Sequence, residues 1–581
     1  MLPTSAAPRS PGGRRAATAL RWRSAALVLV VLVLVLFVWA QYTILSSNLT
    51  ALARPSTPAS PRVSRLARPH EKHEKHEKQH DEHLRHEPAP PHGDLNVYGF
   101  GGLADEAQTQ RPRTTAPVPR TPRPTDPPVV AIGPQEQEAR RAAVVDAMRF
   151  AWTSYEKYAF GADEVDPKYG RRKEDVWGGM AVSLVDGMDT LWVMGLKDEF
   201  ARAREYVATK LRFDHLGKDG DNLSVFETII REVGGLLSAF SLSGDDVFKT
   251  KATELMDLLE PAFSEDEGVA HIADVGTLQL ESRYLSDITG DPKYAKRGDA
   301  FYAILQREGS FNNSGLFPVH YDAALGKFHK YTSITFGALG DSFYEYLLKV
   351  HIYSGQRQED AYLRALYDDA VAGLEAHLLR YSADDDLFYL QELSLPSMSG
   401  MTRMDHLLCF VPGMLALGTL VETQDAAKNA RHLALADKLM QTCYEMYRRQ
   451  PTGLAPDIVT FPGMLVRDGQ YKLRPEAVES LFYLFRATKD VRYRNYGWAI
   501  FEAIEAHAKL KFGYGAIRDV RELPARKANK MESFFLAETL KYHYLLQSPD
   551  DVLPLDEFVF NTEAHPLRIR KRSAAAGKRN E

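Results

Sequence analysis

The sequence predicts an all-α protein whose main domain exceeds 400 residues. From about residue 139 onward, apolar residues recur with helical spacing in segments such as "AYLRALYDDAVAGLEAHLLRY" and "HLALADKLMQTCYEMYRR". Strand-like alternation is scarce, apart from short pieces such as "KFHKYTSITFGA". One acidic motif also recurs at the start of apolar helical runs. The 44% hydrophobic composition of the 581 residues is enough for a large core.

The first 45 residues have the pattern of a membrane anchor. Residues 1–23 contain five arginines and no acid, and every residue from Ala25 to Ala40 is apolar. The span 24–45 approaches the ~20 residues that cross a bilayer. Because basic flanks stay in the cytosol, we predict a cytoplasmic tail (1–23), a transmembrane signal anchor (24–45) and a lumenal remainder. A cleaved signal peptide is the alternative, but its apolar core is typically about 7–15 residues.

Residues 46–138 are predicted to be a disordered lumenal stem. They are rich in Pro, Arg, Thr and His and poor in large apolar residues, so burial cannot offset the entropy of folding. The repeat "HEKHEKHEKQHDEH" (70–83) is either a solvated spacer or a weak site for transition metals. Residues 569–581 form a basic tail. The formal net charge of −5 gives no support for a nucleic-acid surface.

The main domain, predicted at 139–568, contains seven copies of one short motif. A carboxylate followed by a small hydroxylic residue opens an apolar or aromatic helical run in six of them, and a histidine takes the second place in the seventh. The copies are Asp189-Thr190, Glu227-Thr228, Glu281-Ser282, Asp341-Ser342, Asp405-His406, Glu479-Ser480 and Glu532-Ser533. The average spacing suits a helical hairpin, and repeated hairpins either stack openly or close into a toroid.

In a closed barrel of helical hairpins, equivalent ends of the inner helices converge, so we expect the seven carboxylates to face one cavity. Each acid alone could simply interact with its helix dipole, as Glu476 and Glu479 could after the Pro of "LRPEAVES". A ring of acids instead suits general acid and base work on a polyhydroxylated substrate, or cation binding.

The sequence contains two cysteines, Cys409 and Cys443, both in the main domain. A structural zinc site needs about four nitrogen or sulfur ligands, whereas an isolated pair in an oxidising lumen favours a disulfide. We predict the disulfide, and two buried free thiols are the alternative.

Eight stretches of the main domain resemble glycoside hydrolase family 47, the class I α-1,2-mannosidases that trim N-glycans. They are "SLVDGMDTLWVMGL", "NLSVFETIIREVGGLLSAFSLSGD", "GTLQLESRYLSDITGD", "ITFGALGDSFYEYLLK", "RMDHLLCFVPGML", "LRPEAVESLFYLFR", "KMESFFLAETLKYHYLL" and "FNTEAHP". The resemblance covers about residues 140–568. It implies an (αα)7 barrel, a calcium ion at its floor, and hydrolysis with inversion of anomeric configuration.

By motif position, the resemblance assigns four carboxylates to catalysis. Glu227 matches the family's general acid, and Arg231 lies one helical turn beyond it and can pair with it. Asp341 and Glu476 match further catalytic carboxylates, with Glu476 as the usual base. Asp457 is the fourth, although the family usually has a glutamate there. Inverting glycosidases need such acids and bases with carboxyls about 6.5–9.5 Å apart.

The resemblance also implies a metal ligand and a substrate-binding set. Thr562 matches the calcium-binding threonine, which offers its hydroxyl and carbonyl oxygens while waters bridge to nearby carboxylates. Calcium takes six to eight oxygen ligands, so few protein ligands leave room for sugar hydroxyls. The predicted substrate-binding residues are Arg231, Glu281, Leu339, Asp405, His406, Arg474, Glu479, Glu532 and Glu563.

Three sequons bear on glycosylation. Asn48 and Asn312 are predicted acceptors if they are lumenal, whereas a glycan on Asn222 would crowd Glu227, five residues away.

Asp274 is a departure from the family pattern, in addition to Asp457, because glutamate is common at that position as well.

The specificity prediction rests on Leu339, two residues before Asp341. Endoplasmic-reticulum members of the family commonly have an arginine there, whose fork of donors can hold one glycan conformation. A leucine resembles the Golgi-type enzymes, which remove all four α-1,2-linked mannoses. We therefore predict a type II Golgi membrane enzyme acting on high-mannose N-glycans, with the endoplasmic reticulum membrane as the alternative location. The alternative function is a lectin-like receptor that binds these glycans without cleaving them.

Overall fold

A computed structural model describes residues 131–174, 176–216, 223–263, 269–323, 325–421 and 425–571. The predicted cytoplasmic tail, the signal anchor, Asn48, the histidine-rich repeat, Asn222 and most of the stem and basic tail lie outside these residues. Within them, no helix is both long enough and apolar enough to cross a membrane.

The described chain is predominantly helical, as predicted. Its α-helices are α1 (Pro134–Ala159), α2 (Val182–Val193), α3 (Lys197–Thr209), α4 (Val225–Glu227), α5 (Gly234–Ser243), α6 (Asp246–Leu258), α7 (Ile272–Gly276), α8 (Gln279–Thr289), α9 (Lys293–Gly298), α10 (Ala300–Glu308), α11 (Asp341–Tyr353), α12 (Ala361–Gly373), α13 (Val411–Val421), α14 (Ala426–Arg448), α15 (Glu476–Thr488), α16 (Val491–His507) and α17 (Leu540–Leu546). One π-helical turn (Thr228–Val233) precedes α5, a second (Leu374–Leu378) follows α12 and a third (Phe535–Thr539) precedes α17. A 3-10 turn, His406–Phe410, leads into α13.

Besides the helices, the described chain contains short antiparallel sheets. Their strands are β1 (Glu164–Val165), β2 (Arg172–Lys173), β3 (Val269–His271), β4 (His320–Asp322), β5 (Lys327–Phe328), β6 (Ser333–Ile334), β7 (Leu379–Ser382), β8 (Leu387–Leu390), β9 (Glu392–Ser394), β10 (Ser399–Met401), β11 (Arg403–Asp405), β12 (Ile458–Thr460), β13 (Leu465–Asp468), β14 (Lys509–Leu510), β15 (Gly513–Tyr514), β16 (Phe558–Phe560) and β17 (Pro566–Arg568). The sheet orders are β1-β2, β3-β4-β5, β10-β9-β6, β7-β8, β11-β12-β13, β14-β15 and β16-β17. Strands β5 and β6 fall in the one segment whose sequence alternates.

Seven inner helices contact one another in a closed ring. The order is α2, α5, α8, α11, α13, α15, α17 and, through the π-helical turn before α17, back to α2. Each inner helix also packs against one outer neighbour: α3, α6, α9, α12, α14, α16 and α1 respectively. The described residues therefore form seven helical pairs, and α1, the first helix of the domain, closes the last pair.

The two kinds of helix differ in the way that their sequences predict. In α11 every residue after Asp341 is buried, as expected for a helix that is apolar or aromatic on several faces. The outer α6 buries only one stripe, and it begins at an Asp245 side chain that accepts from the Val247 N–H. Asp490 caps α16 in the same way, by accepting from Arg492 N–H. Local capping side chains thus mark where these outer helices begin, whereas the inner helices depend on tertiary packing of their apolar surfaces.

Each of the seven predicted motif acids marks one inner helical unit. Asp341 is the first residue of α11, Glu479 lies in the first turn of α15, and Asp405 caps the 3-10 turn before α13 through Leu408 N–H. Asp189 is an exception in depth, because it lies well inside α2 and is fully buried. One boundary differs: α1 begins at Pro134, inside the predicted stem, since a proline suits the first helical position.

Cys409 and Cys443 form a disulfide, which confirms the predicted pairing. Their Cα atoms are 5.8 Å apart, and both side chains are fully buried. The bridge joins the 3-10 turn before α13 to the outer helix α14.

Replacing Cys409 and Cys443 together by Ala should lower the free energy of unfolding by about 3–4 kcal/mol. The bridge closes a loop with a sequence separation of 34, and the entropy that a disulfide removes from the unfolded chain grows with loop length. Urea unfolding followed by tryptophan fluorescence measures the change. Gln441→Ala, on the exposed side of α14, is the control and should change the free energy by less than about 0.5 kcal/mol. An unfolding free energy that is equal in the two variants would contradict the prediction.

Candidate active site

Four of the predicted carboxylates belong to one acidic cluster at the starts of the inner helices. The pKa of Asp341 is raised to about 8, mainly by burial and also by repulsion from nearby Asp405, Glu345 and Glu476. Burial likewise raises the pKa of Glu479 to about 8, with added repulsion from Glu345 and Glu476 against the pull of Lys349. Asp405 has its pKa raised to about 6, again mainly by burial. Some of these carboxyls therefore hold protons near neutral pH while neighbouring groups can be anionic.

The backbone before Asp341 is shaped to bring it close to Asp405. A Cβ on Gly337 would lie 2.5 Å from Asp405 Oδ2, so only glycine allows this approach. Leu339 adopts a left-handed φ of 75°, and its carbonyl accepts from Ala273 N–H at 3.1 Å. Its side chain is half-buried against the core. The predicted specificity residue thus lies on a tightly held turn that leads into the acidic cluster.

Glu227 is part of a buried ion-pair network centred on Arg231. The Arg231 Nε–H donates to Glu227 Oε2 at 2.7 Å, as predicted from their spacing of one helical turn. The same guanidinium contacts Glu563 and lies 3.6 Å from Asp186 Oδ2. Glu227 is the last residue of α4, and Arg231 lies in the π-helical turn that follows directly; such turns often occur at functional sites. Arg231 links the predicted general acid to the floor of the barrel.

Glu476, the first residue of α15, is held by a histidine behind it. The Nδ1 of His406 lies 3.0 Å from Glu476 Oε2, and its Nε2 lies 2.7 Å from the Tyr447 hydroxyl. His406 N–H donates to the Asp457 carbonyl at 2.8 Å. His406 is only 2% exposed, and its two ring nitrogens face Glu476 and Tyr447. The predicted contact of His406 with substrate stays a prediction.

Asp457 occupies a different electrostatic environment from the other predicted catalytic acids. Its carboxylate accepts from Lys472 Nζ at 2.7 Å and from Arg474 Nε at 2.9 Å. Burial alone would raise its pKa, but Arg474 and Lys472 outweigh burial and lower it. Asp457 is therefore favoured as an anion, which suits holding Arg474 in place.

A polar hairpin turn, residues 561–565 between β16 and β17, forms the floor of the site. Asn561 Nδ2 donates to the Ile230 carbonyl at 2.9 Å and to Glu281 Oε1 at 2.7 Å. The Asn561 carbonyl accepts from Lys349 Nζ at 3.1 Å. His565 lies between two acids of α2, with Nδ1 2.8 Å from Asp189 Oδ2 and Nε2 3.1 Å from Asp186 Oδ1. Asp189 and Glu281 thus hold this turn from behind, contrary to the expectation that all seven motif acids face the cavity.

The surroundings of Thr562 fit a hard cation such as calcium. Its N–H donates to the Tyr346 hydroxyl at 3.3 Å, and that hydroxyl donates to Glu281 Oε1 at 2.7 Å. The other oxygen, Glu281 Oε2, is buried without a hydrogen-bond partner among the described residues. The atoms near Thr562 that could bind a metal ion are oxygens, which calcium prefers as ligands. No three His, Cys, Asp or Glu side chains of the described chain converge to hold an ion themselves.

The sequence analysis did not single out two acids of this region, Glu345 and Glu538. Glu345 lies one turn beyond Asp341 and forms an ion pair with the buried Lys349. Burial raises the pKa of Glu538 well above its usual value, with further repulsion from Glu563, Glu479 and Glu476. For Glu345 the available signal was its position one turn after Asp341 in the same apolar helix, and for Glu538 its position six residues after Glu532 in an apolar run.

The remaining predicted residues are placed at the edges of the site. Glu532 accepts from Lys530 Nζ at 2.6 Å just before the last inner unit. Asn312 is exposed on a surface turn, as a glycan acceptor must be. Asp274 lies outside the acidic cluster, where its carboxylate bonds His271 Nδ1 at 3.0 Å.

Comparison with known proteins identifies the family. A mannosyl-oligosaccharide 1,2-alpha-mannosidase of Arabidopsis thaliana is 43% identical over 459 residues, which cover 75% of this chain and 79% of the relative. The endoplasmic reticulum mannosyl-oligosaccharide 1,2-alpha-mannosidase of Homo sapiens is 39% identical, covering 82% of this chain and 71% of the relative.

Solved structures and the family profile agree. An alpha-1,2-mannosidase from Trichoderma reesei superposes with a TM-score of 0.70 at 28% identity, covering 74% of this chain and 99% of that one. The sequence profile of glycosyl hydrolase family 47 matches residues 147–569. The described fold, the acidic cluster and these matches lead to one conclusion: the chain belongs to glycosyl hydrolase family 47.

Proposed function

We propose that this protein hydrolyses terminal α-1,2-linked mannose from high-mannose N-glycans on glycoproteins, with inversion, and trims them towards the five-mannose form. The observation that carries the proposal is the shared electrostatic environment of Asp341 and Glu476. It places a carboxyl whose pKa is raised to about 8 beside further carboxyls, and an inverting glycosidase needs such a pair for its acid and its base. The names of the curated relatives support the substrate class.

The proposed roles follow from the motif positions that this chain shares with the family. Glu227 is proposed as the acid that protonates the leaving oxygen, and Glu476 as the base that removes a proton from the attacking water. Asp341 lies beside Glu476 in the acidic cluster and completes the catalytic set, whereas anionic Asp457 orients Arg474. Glu479, Asp405 and Glu563 provide acceptors for sugar hydroxyls around them.

Calcium is the proposed cofactor, bound through Thr562 at the floor turn. When bound, the ion would supply positive charge and coordination sites for sugar hydroxyls. Burial raises the pKa of Glu281 to about 7, and burial together with repulsion from Glu563, Glu479 and Glu476 raises that of Glu538 well above its usual value. A divalent cation would favour their ionised forms, so ion and acids stabilise each other.

The location in the cell is also a proposal. The basic residues 1–23 and the apolar span 24–45 support a type II anchor, and Leu339 supports a Golgi-type activity. The lectin-like alternative is less favoured because a protein that only binds glycans needs no protonated carboxyl beside an anionic one.

Glu476→Gln should lower kcat for α-1,2-linked mannobiose by about 10²–10⁴-fold, because an amide cannot accept the proton of water. Its KM should change little, since the amide oxygen still accepts from His406. Mannose release by the purified, calcium-loaded chain measures both constants. Glu254→Gln, on the exposed side of α6, is the matched control and should behave as the wild type. Absence of mannose release by the wild type would leave the lectin-like reading in place of the enzyme.

Thr562→Val should raise the calcium concentration for half-maximal activity at least about tenfold, because it removes one oxygen ligand and keeps the shape of the side chain. Chelation of the wild type should abolish activity and lower Tm, and added calcium should restore both by mass action. The control is Thr250→Val on an outer helix. Full activity after exhaustive chelation would contradict calcium dependence.

Leu339→Arg should make an eight-mannose isomer accumulate when a nine-mannose N-glycan is digested, because the guanidinium adds directional donors that favour one branch. The wild type should proceed to the five-mannose product. Leucine and arginine both carry a Cβ, so the strained φ of 75° is common to both and is not the cause of any difference. Leu339→Met is the apolar control. A wild-type enzyme that stops at one eight-mannose isomer would refute the Golgi-type proposal.

A further inference from the structure

Two parallel rows of contacts join the same three elements beside the site. The first row runs from Glu476 of α15 through His406 of the 3-10 turn to Tyr447 of α14, at 3.0 and 2.7 Å. The second row runs from Ser480 of α15 through Cys409 of the 3-10 turn to Cys443 of α14. In this row the Ser480 hydroxyl donates to the Cys409 carbonyl, and the disulfide joins Cys409 to Cys443.

The two rows are one helical turn apart on every element. Ser480 follows Glu476, Cys409 follows His406, and Cys443 precedes Tyr447 by three or four residues, which is the spacing that places side chains on one face. Ser480 also accepts from Gly413 N–H at 2.7 Å. The second row therefore holds the three elements at the separation that the hydrogen bonds of the first row require.

The hydrogen-bond directions in the first row follow from the donors available. A carboxylate only accepts, so His406 Nδ1–H must donate to Glu476. In the neutral imidazole the other nitrogen then accepts, and the Tyr447 O–H is the donor that faces it. Burial, and more weakly Tyr471 and Glu476, raise the pKa of Tyr447 well above its usual value, so its proton stays in place.

We propose that Tyr447 is a positioning residue for catalysis, because its hydroxyl fixes the tautomer and orientation in which His406 donates to Glu476. This inference rests on the proposed function. Tyr447 and His406 are each only 2% exposed, and His406 lies between the Tyr447 hydroxyl and the Glu476 carboxylate. The effect of Tyr447 on the reaction passes through Glu476 alone. The disulfide, one turn away, keeps α14 and the 3-10 turn close enough for this contact.

Without the hydroxyl, His406 Nε2 loses its donor and the imidazole can adopt the other tautomer. In that tautomer Nδ1 is an acceptor facing an acceptor, and the Glu476 carboxylate loses its fixed direction. The ground-state sugar is held by other groups, so turnover suffers and binding does not. We expect roughly a tenfold fall in rate, which corresponds to about 1.4 kcal/mol of lost transition-state stabilisation.

The chain supplies a matched control in Tyr471. Its ring lies edge-on to that of Tyr447 with centroids 6.3 Å apart, and it is equally buried. Its hydroxyl makes no hydrogen bond within the described structure. Tyr471→Phe therefore removes a buried hydroxyl from the same environment without touching the first row.

The test compares kcat and KM for α-1,2-linked mannobiose in the calcium-loaded full chain. Tyr447→Phe should lower kcat about tenfold with KM within twofold of the wild type, while Tyr471→Phe should leave both within twofold. Replacement of Tyr447 by p-aminophenylalanine, which returns an N–H donor on the same ring, should recover most of kcat. This rescue also separates a missing donor from a misfolded variant.

Equal kcat values for Tyr447→Phe and Tyr471→Phe would overturn the inference, as would a change confined to KM. A failure of p-aminophenylalanine to recover kcat in a chain with wild-type Tm would also overturn it. If the wild type itself releases no mannose, the proposed function falls and this inference falls with it. If the wild type is active and the two Phe variants have the same kcat, the inference about Tyr447 is wrong and the proposed function is unaffected.

Discussion

Burial of a polar turn inside a ring of helices is the constraint on which the rest of the structure depends. Residues 561–565 bring amide, carboxyl and imidazole groups into a region without bulk water, where each must find a partner. The partners come from α2, the π-helical turn after Glu227, α8, α11 and α17. Five of the seven inner units are therefore bound to one turn, and their relative positions follow from it.

The charges around this turn balance in pairs. Burial by itself lowers the pKa of His565, but Asp189 and Asp186 outweigh it and raise the pKa, so the imidazolium is favoured. Lys541 lies 2.7 Å from Asp189 Oδ1 and donates to the Ala564 carbonyl at 2.7 Å. Loss of one member would leave an uncompensated buried charge, which typically costs about 3–5 kcal/mol.

On the open side of the turn the acids outnumber the cations, and this imbalance is what makes chemistry possible. Lys349 partly neutralises Glu345 and Glu479, and Arg231 bonds Glu227 and contacts Glu563. Burial, and then repulsion from Asp405, Glu345 and Glu476, raise the pKa of Asp341 to about 8, which favours its protonated form at neutral pH. Tyr447 and His406 then direct Glu476 without entering the cavity. Structural ion pairs and reactive carboxyls thus share one electrostatic network.

The sequence by itself determined the helical class, the seven motif acids, the disulfide pairing and the family. These features are encoded over a few residues each: a helical period, an acid at a helix start, a quoted motif such as "FNTEAHP". Only the tertiary structure decided that Asp189 and Glu281 hold the floor and that His406 lies behind Glu476. It also decided which carboxyls keep their protons. Asp189 and His565 are separated by 376 residues, and desolvation depends on every element packed around a group, so no local pattern could carry this information.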